Sequence, residues 1–275
     1  MKDGTLTLGE LKVNRIGYGA MRVIEDPDIW GPPKDKANAH RVLRRAYELG
    51  VTFIDTAESY GPGHSETTIA EALHPYPRDL VIGTKCGLAR PNRSRWDPDG
   101  RPVKLRQDLE GSLKRLKLER IDLYQLHAPD HKLPFEESVG ALAEFQREGK
   151  VRHLGLSNVT VKQLEQARKI VPIVSVQNRY NLGDRSAEDV LKACERLGIA
   201  FLPWYPLGDG ASLSNAKVKA LAKKLGATPS QVVIAWLLKK SPVMLPIPGT
   251  GSAEHLEENM KAASLELAEA DFRML

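Results

Sequence analysis

From about residue 16 onward the chain alternates a short β-rich run with a longer amphipathic stretch, and it does so eight times. Strands are expected at Ile16–Tyr18, Thr52–Asp55, Leu80–Lys85, Ile121–Leu126, Val151–Leu156, Ile173–Val176, Ala200–Pro203 and Val243–Pro246, each rich in the residues that suit a buried pleat. The intervening stretches carry the helical period. Between Ala37 and Leu49, for example, apolar residues fall at 39, 42, 43, 46 and 49, one stripe of a helix. Further helices are expected at Glu66–Leu73, Leu105–Leu116, Glu136–Arg147, Val161–Lys169, Ala187–Leu197, Asn215–Leu225, Pro229–Leu238 and Ala253–Ala263, with Gly50, Gly149, Gly198 and Gly226 placed as caps. Strand followed by helix, repeated, builds either a closed parallel barrel or a doubly wound open sheet. Eight units in 275 residues favour the (β/α)8 barrel. No Ser/Gly linker or low-complexity segment interrupts the pattern, so one domain over residues 1–275 is expected. Leu6–Val13 alternates around Gly9-Glu10 and reads as a hairpin able to plug the bottom of the barrel.

Charge narrows the function. Lys and Arg number 40 against 35 Asp and Glu, a net charge of +5, but the cations are scattered along helix faces such as Arg41–Arg45 rather than gathered into a nucleic-acid footprint. No nucleic acid is expected as a partner; a small anion remains compatible. Cys86 and Cys194 have neither metal-ligand spacing nor the density of a disulfide framework, which fits a reducing cytoplasm. The start, Met1 to Gly4, leads into no signal sequence, and no apolar run is long enough to span a bilayer, so no membrane is expected either.

A barrel places its chemistry on the loops that follow its strands. Asp55, Lys85 and His127 each stand where a separate strand reaches its end, and Tyr60 follows Asp55 in a short turn. An acid, a cation, an imidazole and a phenol can meet there. A cation beside a phenol favours its phenolate, a carboxylate holds the cation, and the phenol can then give a proton to a carbonyl oxygen. The alternative for Asp55 and Lys85 is a purely structural ion pair, and for His127 a satisfied core histidine. Two long loops, Glu25–Lys36 with Trp30 and Gly87–Val103 with Trp96, are expected to fold over a pocket with both indoles as its walls. Other motifs fail. Gly17–Arg22 lacks the third glycine of a dinucleotide fingerprint, no P-loop is present, and His127 and His131 flank Pro129 without a cysteine nearby, so no metal is expected.

The chain resembles the aldo-keto reductase family, of the bacterial kind with a short C-terminus. The matching motifs, in order, are Asp55-Thr56-Ala57 to Tyr60-Gly61, Thr84-Lys85, Leu123 to His127, Gly155 to Asn158, Val176 to Asn181, Trp204 to Gly208, and Ile247 to Thr250 leading to Glu258-Asn259. The resemblance implies a (β/α)8 barrel that binds a nicotinamide cofactor without a Rossmann domain. It implies reduction of aldehydes and ketones to alcohols, reversibly, with Tyr60 as proton donor, Lys85 and Asp55 behind it, and His127 orienting the carbonyl. Cofactor contacts are implied at Ala20 and Met21, at Ser157, Asn158 and Gln177 for the carboxamide, at Trp204 for the ring face, and at Leu207 and Gly208 for the pyrophosphate. At the adenosine end the implied contacts are Thr250, Ser252, His255, Glu258 and Asn259. Gly249 and His255 stand where many members place lysine and arginine against the 2′-phosphate, so NADPH is expected over NADH by a modest margin only. With the chain ending soon after Phe272, an open pocket preferring aromatic and medium-sized aldehydes to charged sugars is expected. The second functional reading is a nucleotide-sensing regulatory subunit with vestigial reductase activity.

Overall fold

The structure is a computed structural model that describes residues 4–275; Met1 to Asp3 and the side chain of Asp209 lie outside it. Thr5–Leu8 (β1) and Leu11–Asn14 (β2) form the antiparallel hairpin, turning at Gly9, which takes φ +62°. There follow Tyr18–Gly19 (β3), Lys36–Glu48 (α1), Phe53–Asp55 (β4), His64–Leu73 (α2) and Val81–Cys86 (β5). Leu88–Ala89 (β6) and Asp97–Pro98 (β7) pair as a small antiparallel excursion before Pro102–Leu116 (α3). Then come Ile121–Leu126 (β8), Phe135–Arg147 (α4), Val151–Ser157 (β9), Val161–Arg168 (α5), Ile173–Arg179 (β10), Glu188–Leu197 (α6) and Ala200–Trp204 (β11). The chain ends in helices Ala211–Ser214 (α7), Ala216–Leu225 (α8), Pro229–Lys240 (α9), Ala253–Met260 (α10) and Glu269–Met274 (α11). The short α7 and the terminal α11 had no clear period in the sequence.

Seven parallel strands lie in the order β11-β10-β9-β8-β5-β4-β3, which with the surrounding helices makes the (β/α)8 barrel. The eighth stave, expected as a strand at Val243–Pro246, closes the ring without becoming one. Phe201 donates its N–H to the Val243 carbonyl (2.8 Å), Leu245 donates to Phe201 (2.9 Å), and Gly17 donates to Pro246 (2.9 Å). Pro246 and Pro248 have no N–H to continue a ladder, so a single bridge, Phe201 to Met244, is all that forms.

Strand alternation sorts the side chains. Outward residues such as Ile54, Ile82, Tyr124, Leu156 and Val176 pack under the helices. Inward residues stack in layers. At the lower end Phe53, Val81, Leu123, Ala200, Leu202 and Leu245 pack with Leu8 and Val13 of the hairpin, which therefore plugs that end. Room for Phe53 comes from Gly83, where a Cβ would approach the Phe53 ring at 3.0 Å. The layer above is polar: Asp55, Lys85, Gln125 and Gln177, all buried. In-register pairing sets Lys85 beside Gln125, and Gln177 beside Ser157.

Candidate active site

Asp55 is the last residue of β4, Lys85 the last but one of β5, and His127 follows β8 with its backbone N–H on the Cys86 carbonyl (2.9 Å). Tyr60 is delivered by a tight turn in which its N–H bonds to Ala57 (3.1 Å). Gly61 then takes φ +67° and lies so close to Gly31 that a Cβ would meet the Gly31 carbonyl at 2.5 Å, so only glycine fits. The four side chains converge. Lys85 Nζ donates to Asp55 Oδ2 (2.7 Å), the Thr56 carbonyl (2.8 Å) and Tyr60 Oη (3.3 Å), matching its three protons. Asp55 Oδ1 accepts from Gln125 Nε2 (3.1 Å) and Gln177 Nε2 (2.9 Å). The His127 ring stands edge-on to Tyr60 at 5.8 Å, and its Nδ1 lies 3.3 Å from Ser59 Oγ.

Electrostatics fix the protonation states. Burial pushes the Tyr60 phenol above its ordinary value, with the Lys85 cation pulling the other way and losing; the expected bias toward phenolate is thus present but outweighed. Burial alone lowers Lys85, yet Asp55 and Tyr60 more than offset it and the net shift is upward. His127 is held well below the usual histidine range by burial and then by Lys85. At neutral pH the site holds a protonated phenol, an ammonium and a neutral imidazole. Glu58, two residues before Tyr60, is pushed up to about 7, first by burial and then by Asp108.

Above this layer opens a cavity of about 570 Å³. Its floor carries Asp55, Tyr60 and His127, and its walls include Met21, Ser157, Asn158, Gln177, Trp204, Leu207 and Trp96. Trp30 does not line it; it stands behind the wall with the Arg90 guanidinium 5.3 Å over its ring. The loop after β3 is held against the Tyr60 turn, where Gly61 donates its N–H to the Ile29 carbonyl (3.0 Å), a tertiary contact that no periodicity encodes. Ala20 and Gly208 sit behind the lining: the Ala20 carbonyl accepts from Ser65 Oγ (3.1 Å), and a Cβ at Gly208 would meet Ser212 Oγ at 2.7 Å. Thr250, Ser252, His255, Glu258 and Asn259 lie further along, at the start of α10 and on it. Ser252 caps that helix by accepting the His255 N–H (3.2 Å), and the His255 side chain is exposed. The Glu258 carboxylate takes the Ser230 hydroxyl (2.6 Å), and Asn259 is buried.

Sequence reasoning did not single out Gln125 as a partner of Asp55, Ser59 as a partner of His127, or Arg22 and Tyr205 as cavity walls. Two wall residues, Asn158 (φ +58°) and Tyr205 (φ +50°), occupy left-handed backbone, which asparagine tolerates better than most residues and which is an outlier for an aromatic one. Trp204 Nε1 donates to Asn158 Oδ1 (3.0 Å), which ties the indole to the polar edge of the cavity. Asn158 Nδ2 donates to the His127 carbonyl (2.9 Å) and to Ser157 Oγ (3.1 Å), so what remains for a nicotinamide carboxamide is the Ser157 hydroxyl proton, a lone pair of Asn158 Oδ1 and the Gln177 amide, with an indole beside them. Gln177 spends one N–H on Asp55, which leaves its amide oxygen as an acceptor. Among the described residues there is no group of three or more His, Cys, Asp or Glu able to hold a metal, and no helix long and apolar enough to cross a membrane.

The aldo/keto reductase family model matches residues 15–275. An uncharacterized oxidoreductase of Schizosaccharomyces pombe is 48% identical over 273 residues, covering 99% of this chain and 89% of that protein. Pyridoxine 4-dehydrogenase of Escherichia coli is 44% identical, covering 98% and 96%. The solved structure of an aldo-keto reductase from Klebsiella pneumoniae in complex with NADPH superposes with a TM-score of 0.84 at 25% identity, covering 100% of this chain and 94% of that one. The chain belongs to the aldo/keto reductase family. It is an NAD(P)H-dependent oxidoreductase.

Proposed function

We propose that the protein interconverts a carbonyl carried on a planar aromatic ring, of the pyridoxal kind, with its alcohol, using NADPH and with Tyr60 as proton donor. The observation that carries this reading is Lys85 Nζ, buried and bridging Asp55 (2.7 Å) and Tyr60 Oη (3.3 Å) beneath the cavity. When bound, the reduced nicotinamide supplies a hydride to the carbonyl carbon. Tyr60 gives its proton to the carbonyl oxygen, and the phenolate left behind faces the Lys85 ammonium, which Asp55 and the Thr56 carbonyl keep in place. If Ser59 donates to Nδ1, the neutral His127 carries its proton on Nε2 and can hydrogen-bond the same oxygen, orienting it while keeping that proton. In the alcohol-oxidising direction Tyr60 takes the proton instead.

Ser157, Asn158 and Gln177 would hold the carboxamide, Trp204 the ring face, and Met21, Leu207 and Gly208 the ribose and pyrophosphate; Ala20, fully buried behind the lining, would act only by supporting Met21. Thr250, Ser252 and His255 would hold the adenosine phosphate at the amino end of α10, where free amides favour an anion. Glu258 and Asn259 would hold the adenine edge. The pyridine ring enters because a relative 44% identical to this chain is named pyridoxine 4-dehydrogenase, and because Trp96 and Tyr205 flank the cavity with aromatic surface. The test is cofactor-coupled turnover of pyridoxal, a benzaldehyde and a sugar phosphate by wild type and Tyr60→Phe. The aromatic carbonyls should be preferred, and Tyr60→Phe should abolish reduction while binding NADPH as before. Turnover near wild type in Tyr60→Phe would falsify the proton-donor assignment.

A further inference from the structure

Arg90, the first residue after β6, makes contacts that the reaction does not explain. All five of its N–H groups go to backbone carbonyls, and these belong to three separate stretches of chain. Nη1 donates to Ile29 (3.2 Å) and Ser59 (3.2 Å), Nη2 to Asp28 (2.8 Å) and Arg93 (2.7 Å), and Nε to Arg95 (3.1 Å). The guanidinium thus pins the loop after β3 and the Tyr60 turn to its own loop. Its flat face is used as well: Cζ lies 3.5 Å from the centre of the Trp96 ring. Trp96 is 36% exposed, and its other aromatic neighbour is Tyr60, met edge-on at 6.4 Å.

We infer that Arg90 is a positioning residue for substrate choice: it fixes Trp96 as a rigid aromatic wall beside Tyr60 and so sets the preference for flat aromatic carbonyls over compact aliphatic ones. The inference rests on the carbonyl-reductase reading above. An indole on an excursion of eleven residues, Leu88 to Pro98, has rotamer freedom to lose when a ring docks against it. Stacking on an immobile guanidinium removes that freedom beforehand. A compact aliphatic aldehyde reaching Tyr60 makes little use of the wall and gains little from its rigidity. The effect therefore belongs to binding of aromatic substrates rather than to the proton transfer.

The alternative is that Arg90 only steadies the catalytic turn through Ser59, in which case its loss slows every substrate alike. Arg90→Met and Arg90→Lys separate the two, the lysine keeping the charge without the planar fork. We expect KM for benzaldehyde to rise about two- to fivefold in both variants, the scale of one partly exposed cation–π contact, with kcat changed by less than about twofold. The kcat/KM for propanal should fall several-fold less, and in a Trp96→Leu background Arg90→Met should have little further effect. Equal kcat losses for both aldehydes, or an undiminished effect without Trp96, overturn the inference. Quenching of tryptophan fluorescence by benzyl alcohol reads the same wall without turnover. If wild type reduces neither aldehyde yet Arg90→Met weakens that binding about two- to fivefold, the reductase reading fails while the positioning role stands; if the binding is unchanged, the positioning role fails.

Discussion

Replacing Lys85 by methionine separates a catalytic ion pair from a structural one. The substitution keeps the volume of the buried stem and strands Asp55, which is 2% exposed. Removing one member of a buried pair costs about 3–5 kcal/mol. Here the lower end applies, because Gln125 and Gln177 go on donating to Asp55 Oδ1 and only Oδ2 loses its partner; we expect about 3 kcal/mol. Adding Asp55→Asn removes the stranded charge and should return most of that, leaving a deficit of about 1 kcal/mol. Turnover should not return with it. Burial already raises the Tyr60 phenol, and without the ammonium nothing opposes that rise or stabilises the phenolate that forms. A positioned acid contributes roughly 10²–10⁴ in rate, so both variants should lose at least about 100-fold in kcat, near 2.7 kcal/mol of barrier. Urea unfolding gives the stability of each variant, and initial rates at saturating cofactor, far below the unfolding transition, give kcat. Recovery of turnover together with stability in the double variant would show that the pair serves the barrel and not the reaction.

At the adenosine end, a helix terminus and one exposed imidazole discriminate less than a guanidinium fork. NADPH should be preferred to NADH modestly, and dissociation constants for the two cofactors should show it; His255→Ala should weaken NADPH binding more than NADH binding, and an unchanged ratio would show that this side chain does not read the phosphate. Glu58 supplies a stability test with a definite sign. Its carboxyl is pushed from 4.5 to about 7, so the folded state binds the proton more tightly than the unfolded one, and its contribution is fully present below about pH 4.5 and lost as pH rises through 7. Glu58→Gln should therefore raise the melting temperature at pH 8 and change it little at pH 4.5; an equal gain at both would refute the titration.

Asp55, Lys85 and His127 were legible because each stands at or within one residue of the end of a strand, and strand ends in a barrel share one face. Gln125 was not, although it stands in the same strand as the residues before His127. Its bond to Asp55 reaches across the intervening strand β5, beside Lys85, and a contact between strands that do not pair leaves no pattern in either of them. The eighth stave was legible in position but not in kind, since Pro246 and Pro248 announce an interrupted ladder that an apolar run conceals. Trp30 and Trp96 looked equivalent, each an indole in a long loop. Arg90 lies over both rings, closer to Trp96, and only Trp96 lines the cavity; such long-range contacts leave no local signal.

The hairpin at the lower end has a kinetic meaning. With Leu8 and Val13 packed beneath Phe53 and Leu123, the polar layer is sealed from below and meets water on one side only. On the proposed mechanism each reduction leaves Tyr60 without its proton, and the replacement has to arrive through the mouth by which the alcohol departs. Recharging the acid and clearing the vessel thus share one doorway, and a bulky product held there delays both.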